Sequence, residues 1–176
     1  METSKDRKAM AIKTAQELFL TEVSDVYDAE NRLMRGMESM AEKASDATLK
    51  AMLREHVSQT QGQIRNLDNV FGILGAKPES RHSDAADGLV SEAKKSMNEA
   101  SADSIRDCII DNAAAKNEHF EIASYRGLIS SAQKMMGQQQ LLSLLQENLS
   151  QEEQAAQRLE QTAPQLLEKV LQQYPM

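Results

Sequence analysis

Four long stretches of this chain carry apolar residues at alternating steps of three and four, with almost no proline or glycine inside them. Such steps keep their members on one face of an α-helix, and here they persist well beyond the three turns of an ordinary helix. The first stretch runs from about Asp6 to Lys43, with a seam of Ile12, Gln16, Phe19, Val23, Val26, Glu30, Leu33, Met37 and Met40. The second runs from about Ala47 to Leu74 and aligns Leu49, Leu53, His56, Thr60, Gln63, Leu67, Val70 and Leu74. The third, from about Ala102 to Met136, aligns Ile110, Ala114, Glu118, Glu121, Tyr125, Leu128, Ala132 and Met135. The fourth, from Gln138 to about Thr162, aligns Leu142, Leu145, Leu149, Glu152, Ala156, Leu159 and Ala163. Aromatic residues make up 3% of the chain and Trp is absent, which argues against strands, since these enrich aromatic and β-branched side chains.

The breaks between the stretches set the topology. Ser45 and Asp46 supply capping residues for a tight first turn, "GAKP" stops the second helix, and Gly137 ends the third. The connection between the second and third helices is long. It holds an irregular "ESRHSDAADG" and a short helix over "GLVSEAKKSMNEA". Pro164 is suited to the first turn of a short C-terminal helix. Two tight turns flanking one long crossover predict a single all-α domain over residues 1–176, a four-helix bundle of ferritin-like connectivity, in preference to an up-down-up-down bundle.

A formal charge of -7 sets nucleic acid and anionic lipid aside as partners. The single Cys108 fits a reducing compartment. "METSKDRKAMAIK" has no apolar h-region, and no apolar run reaches membrane length. The expectation is a cytoplasmic protein.

Each seam is broken by polar residues, and the breaks share one height. Glu30 lies about fourteen residues before the first turn, His56 and Gln59 about twelve to fifteen after it, Glu121 about sixteen before the second turn and Glu152 about fifteen after, which at 1.5 Å per residue is roughly 20 Å each. Four carboxylates, Glu30, Glu118, Glu121 and Glu152, would then meet in one interior layer and repel one another unless protonated, paired or bound to metal. Arg32, Arg35, Arg54, Arg65, Lys116 and Arg126 all fall off the inward stripes. Carboxylate and imidazole together suit iron, manganese or zinc. Each Glu taken alone reads as a helix edge reaching solvent. His119, Glu55, Glu147 and Glu153 read as a solvated face. A Met stripe such as Met34, Met37 and Met40 is ordinarily core packing or a dimer contact.

At these residues the chain resembles the YciF/YciE-type ferritin-like family of bacterial stress-associated proteins. The resemblance runs from about Ala15 to Thr162. It is carried by "DVYDAENRL", "EHVSQTQGQI", "GLVSEA", "NEHFEIASYRGLI" and "LLQENLSQEE". It implies a bundle with a dinuclear, iron-type metal site. The family's ligand positions correspond to Glu30, His56, Glu118, Glu121 and Glu152, with Gln59 where the family has a Glu and Ala156 where it has an acidic residue. Both departures remove negative charge, so a mononuclear or metal-free site fits as readily as a dinuclear one. The resemblance also implies a homodimer.

Two functions follow. In one, the layer binds metal, and an Fe(II) pair with open positions could react with dioxygen or peroxide as an oxidase or peroxidase. Tyr27 or Tyr125, each about one turn from a ligand, would supply a phenol hydrogen bond or a redox partner, or else be core aromatics. In the other, the protein is a metal-free structural or interaction bundle of the stress response, its layer held by protons and amides. A storage cage fits less well, because the ligand set is incomplete.

Overall fold

The computed structural model describes residues 11–135 and 138–175. Among these, five helices form: α1 Ala15–Lys43, α2 Ala47–Ile73, α3 Asp84–Glu99, α4 Asp103–Met135 and α5 Gln139–Gln173. The expected helix end at Gly137 lies outside the described residues, as does the stretch before Ala11.

The start of α1 differs from the periodic reading, which placed it near Asp6. A capping box sets it instead: Thr14 Oγ1 accepts from Glu17 N at 3.1 Å, and Glu17 Oε2 accepts from Thr14 N at 3.0 Å. Ile12 and Gln16, included in the seam by spacing alone, are exposed. At the far end, Asp46 caps α2 by accepting from Leu49 N at 2.9 Å. Asp107 then ties the start of α4 to that turn, accepting from Ser45 N at 2.8 Å and Asp46 N at 2.9 Å. Helix α4 therefore begins where α2 begins, and the crossover must travel the length of the bundle.

That crossover leaves α2 through Gly75, whose φ of 69° is open to glycine at little steric cost, with Ala76 N donating to Phe71 O at 2.9 Å. The stretch expected to be irregular is already helical from Asp84. Ser83 caps α3, and Ser83 N donates to Asp28 on α1 at 2.9 Å. Gly36 lets α3 approach: a Cβ there would sit 3.0 Å from Val90 Cγ2. Helix α3 packs on α1 and α4, while α1, α2, α5 and α4 pair in a ring, which is the expected ferritin-like bundle.

Among the described residues there is no separate C-terminal helix. Helix α5 runs through Pro164 as one element. Proline forfeits one N–H and crowds the preceding turn, yet beyond it Leu166 is buried and Lys169 pairs with Asp46. These contacts hold the continuation against the local cost. The α5 seam also shifts by one position at its ends: Leu141, Asn148 and Thr162 are buried, whereas Leu142 and Leu149 are only partly so and Ala163 is exposed. As their helices end, Met135 is exposed and Leu74 is only partly buried.

The core divides. Phe19, Val23, Leu67, Phe71, Leu128 and Leu145 anchor one apolar cluster. Met37, Met40, Leu53, Ile110 and Leu159 anchor a second, and Met34 is only partly buried. The polar layer lies between them along every helix of the ring.

Candidate metal centre

The interior layer gathers the predicted side chains because each sits on a seam whose neighbours are anchored above and below. Glu30, Glu118, Glu121 and Glu152 are each 2% exposed or less, and His56 is 5% exposed. One ligand atom from each of His56, Glu118, Glu121 and Glu152 lies within 4.8 Å of the others. His56 Nε2 faces Glu118 Oε2 at 3.1 Å and Glu152 Oε2 at 3.3 Å, in ion-pair range but with neither oxygen meeting hydrogen-bond geometry. No Lys or Arg is buried among the described residues. His119, by contrast, is exposed and pairs with Glu160 at 3.0 Å, and Glu55, Glu147 and Glu153 are exposed as expected.

Glu30 stands at the edge of this group. It accepts a hydrogen bond from the Tyr125 hydroxyl and faces Glu121. Gln59 is half-buried and holds the other nitrogen of the imidazole, with its Oε1 3.2 Å from His56 Nδ1. A donor Nδ1–H there leaves Nε2 as the nitrogen turned toward the carboxylates, the arrangement by which outer partners orient a metal-binding imidazole. Gln59 thus sits behind the imidazole. Ala156 is buried and contributes no polar atom.

Sequence reasoning missed two supporting residues. Gln63 donates from Nε2 to Glu152 Oε1. Asn148 donates to the Tyr125 hydroxyl at 2.9 Å and to Gln63 O at 3.2 Å, and accepts from Asn66 at 2.8 Å. Gln63 was on the seam but was not tied to the layer. Asn148 lies beside Leu149, which masked it. Tyr27 is a partly buried aromatic packed against the first apolar cluster, its ring edge-on to Phe71 at 5.6 Å, while Tyr125 belongs to the layer.

Burial dominates the electrostatics. It pushes Glu30 up to about 8, reinforced by the Glu152 charge and opposed by Tyr125. Burial also raises Glu118 well above the carboxylate range, against the pull of His56. Glu121 rises for the same reason, with Glu30, Glu152 and Glu118 adding to it. Burial disfavours the His56 cation, but Glu118 and Glu152 outweigh it and hold its pKa well above the ordinary value. Glu152 is lowered despite burial, because His56 and Gln63 stabilise its charge.

The oxygens without any hydrogen-bond partner are the chemical signature. Glu118 Oε1 and Oε2, Glu121 Oε2, Glu152 Oε2 and Glu30 Oε2 are all buried and unsatisfied. Buried polar atoms are nearly always partnered. A nitrogen and several carboxylate oxygens converging this closely fit a divalent cation of the iron, manganese or zinc type.

The chain as a whole is similar to known proteins. The family model described as Domain of unknown function (DUF892) matches residues 14–172. The chain is 32% identical over 144 residues to Protein YciF of Escherichia coli K12, covering 81% of this chain and 86% of the relative. The crystal structure of YciF, described as an E. coli stress protein, superposes with a TM-score of 0.84 at 31% identity, covering 90% of this chain and 99% of that one. YcfI of Rhodopseudomonas palustris, described as a candidate structural protein, gives 0.83 at 34% identity over 86% of this chain and 96% of that one. A two-domain Anabaena variabilis protein with a ferritin-like domain matches at 0.62 and 18% identity over 94% of this chain and 43% of that one, a likeness of fold alone. Among the described residues, no helix is long and apolar enough to cross a membrane.

Proposed function

This chain belongs to the DUF892 family, and we propose that it is a ferritin-like stress-response protein whose mid-bundle layer holds one divalent cation of iron type. His56, Glu118, Glu121 and Glu152 are the ligands. Glu30 closes the layer from the Tyr125 side. The observation that carries this reading is the convergence of buried carboxylate oxygens on His56, several of them without a hydrogen bond. The stress role comes from the YciF relative, described as a stress protein. Bound iron would supply redox reactivity toward dioxygen or peroxide, and manganese or zinc would satisfy the same donors without requiring it. The residues themselves hold the cation, orient the imidazole through Gln59, and keep a proton between Tyr125 and Glu30.

A metal-free bundle is the second reading. It is favoured by the bonds from Tyr125 to Glu30 and from Gln63 to Glu152, which satisfy part of the layer with protein donors. In that case a charged His56 and protonated carboxyls neutralise the rest. The deciding experiment is metal analysis of protein purified without chelator, followed by anaerobic loading with Fe(II), Mn(II) or Zn(II). About one metal per chain, lost in Glu118→Ala, supports the first reading. No uptake of any of the three, with an unchanged melting temperature, establishes the second. The reading also takes the protein as a homodimer, since Leu167 and Leu171 on the last turns of α5, and Tyr174 just after it, leave apolar surface exposed. Native mass in solution tests that directly.

A further inference from the structure

We propose that divalent cations reach the centre sideways, between α2 and α5, through a passage latched by the Arg158–Glu55 ion pair, with Glu55 as the first carboxylate they meet. This rests on the metal-centre reading above.

The ends of the bundle are poor routes. An ion moving along the axis from one end would cross the cluster of Phe19, Leu67 and Leu128, and from the other end that of Met37, Leu53 and Ile110. Shedding water in an apolar layer is prohibitive for a dication. The cleft between α3, α4 and α5, about 350 Å³, touches none of the four ligand residues.

The α2–α5 face is different. A cavity of about 80 Å³ is lined by His56 and Glu118 at its buried end and by the exposed Glu55, Gln154 and Arg158 at the other, so Met37 and Leu53 form only part of its wall and polar groups line the rest. That volume has room for a few water molecules, so a cation can keep part of its hydration shell on the way. Ala155 lines the passage with a methyl group where a larger side chain would fill it.

Arg158 Nη1 reaches Glu55 Oε2 at 2.9 Å, joining α5 to α2 across the mouth. The two side chains are 45% and 53% exposed. An exposed pair of this kind contributes little to stability, so it opens readily. Closed, it presents a guanidinium to an approaching cation and helps retain one already inside. Open, it frees the Glu55 carboxylate. Loading thus exchanges one cation for another on the same oxygen, drawn by a chain of net charge -7.

The test is stopped-flow loading of the full chain with Co(II), read by its visible absorption, with final Co(II) per chain measured separately. Arg158→Gln loads faster, by up to about fivefold, the size of an exposed latch. Glu55→Gln loads more slowly. Ala155→Leu, which narrows the passage, slows loading by about tenfold or more while final occupancy stays at the wild-type level. Wild-type rates in all three variants overturn the passage and leave the metal centre standing. Absence of Co(II) uptake by the wild type overturns the metal centre itself, and the passage with it. Should Ala155→Leu lower final occupancy, the other two variants decide: opposite shifts in rate support the passage, and unchanged rates overturn it.

Discussion

The two sides of the polar layer meet the same electrostatic problem differently. On the Tyr125 side, Glu30 and one oxygen of Glu152 accept hydrogen bonds from neutral donors, Tyr125 and Gln63, and Asn148 ties those donors together. On the His56 side, Glu118 and Glu121 keep oxygens without a hydrogen bond, and the imidazole faces Glu118 in ion-pair range. Neutral donors fix a carboxylate in place without removing its charge. Glu30 settles its share of the repulsion by holding a proton, and what remains falls on the His56 side, to be met by protons or by a cation. On the proposed metal-centre reading, the Tyr125 side is scaffold and the His56 side is site.

The sharpest way to break that distinction is to remove a group from each side. Glu118→Ala should lower affinity for Fe(II) or Co(II) by more than about 100-fold, since loss of an outer-sphere partner alone costs 10- to 100-fold. Titration by calorimetry or by Co(II) absorption measures it. Retained affinity would show that Glu118 is no ligand.

On the scaffold side the expected loss is stability. Tyr125→Phe leaves Glu30 Oε1 without its donor and Asn148 Nδ2 without one of its acceptors inside the core. An unsatisfied buried group costs about 1–3 kcal/mol, to be read from urea unfolding of the metal-free protein. Metal stoichiometry should not change. A variant that unfolds normally but binds no metal would move Tyr125 from scaffold to site.

The site side was the more legible of the two in the sequence, for a physical reason. Glu30, His56, Glu118, Glu121 and Glu152 interrupt apolar seams, and a polar residue at an apolar step is visible without coordinates. Gln63 and Asn148 are neutral, so nothing electrostatic marks them, and Asn148 is flanked by leucines at 144, 145 and 149 that offer the helix more than one plausible face. The bundle and its crossover were readable from helix lengths and turns. Helix ends were not, because they depend on particular contacts: the Thr14–Glu17 box shortens α1, and Leu166 with Lys169 carries α5 past Pro164. Proline's local preference lost to tertiary packing.

The two sides should also separate in their response to pH. Glu30, at about 8 in the fold against an ordinary 4.5, holds a proton that the unfolded chain has released. A group raised in this way stabilises the fold fully below the unfolded value, and that contribution is lost as pH rises through 8. His56, also raised, acts with the same sign. Glu152, lowered, contributes above its unfolded value and loses that contribution as pH falls through its folded one. The melting temperature of the metal-free protein should therefore be highest near pH 5 and decline toward pH 8. A cation competes with these protons, so the gain from metal should widen over the same range. Parallel melting curves with and without metal across that range would mean that the layer's protons and the metal do not compete.

The smallest expected effect lies at Gln59, which belongs to neither side by charge. Its Oε1 reaches His56 Nδ1 at 3.2 Å, and the residue is only half-buried. Gln59→Leu keeps the bulk and removes the acceptor, freeing the imidazole to turn or to change tautomer. Affinity for Co(II) should fall by about tenfold, the low end for an outer partner, because water can replace the lost amide at a half-exposed position. Gln59→Glu should do the opposite, since a carboxylate there holds Nδ1–H more firmly and adds negative charge beside the cation. Tighter binding in Gln59→Glu with weaker binding in Gln59→Leu places Gln59 behind the imidazole. Equal affinity in both variants would mean that the His56 orientation is fixed by Glu118 and Glu152 alone.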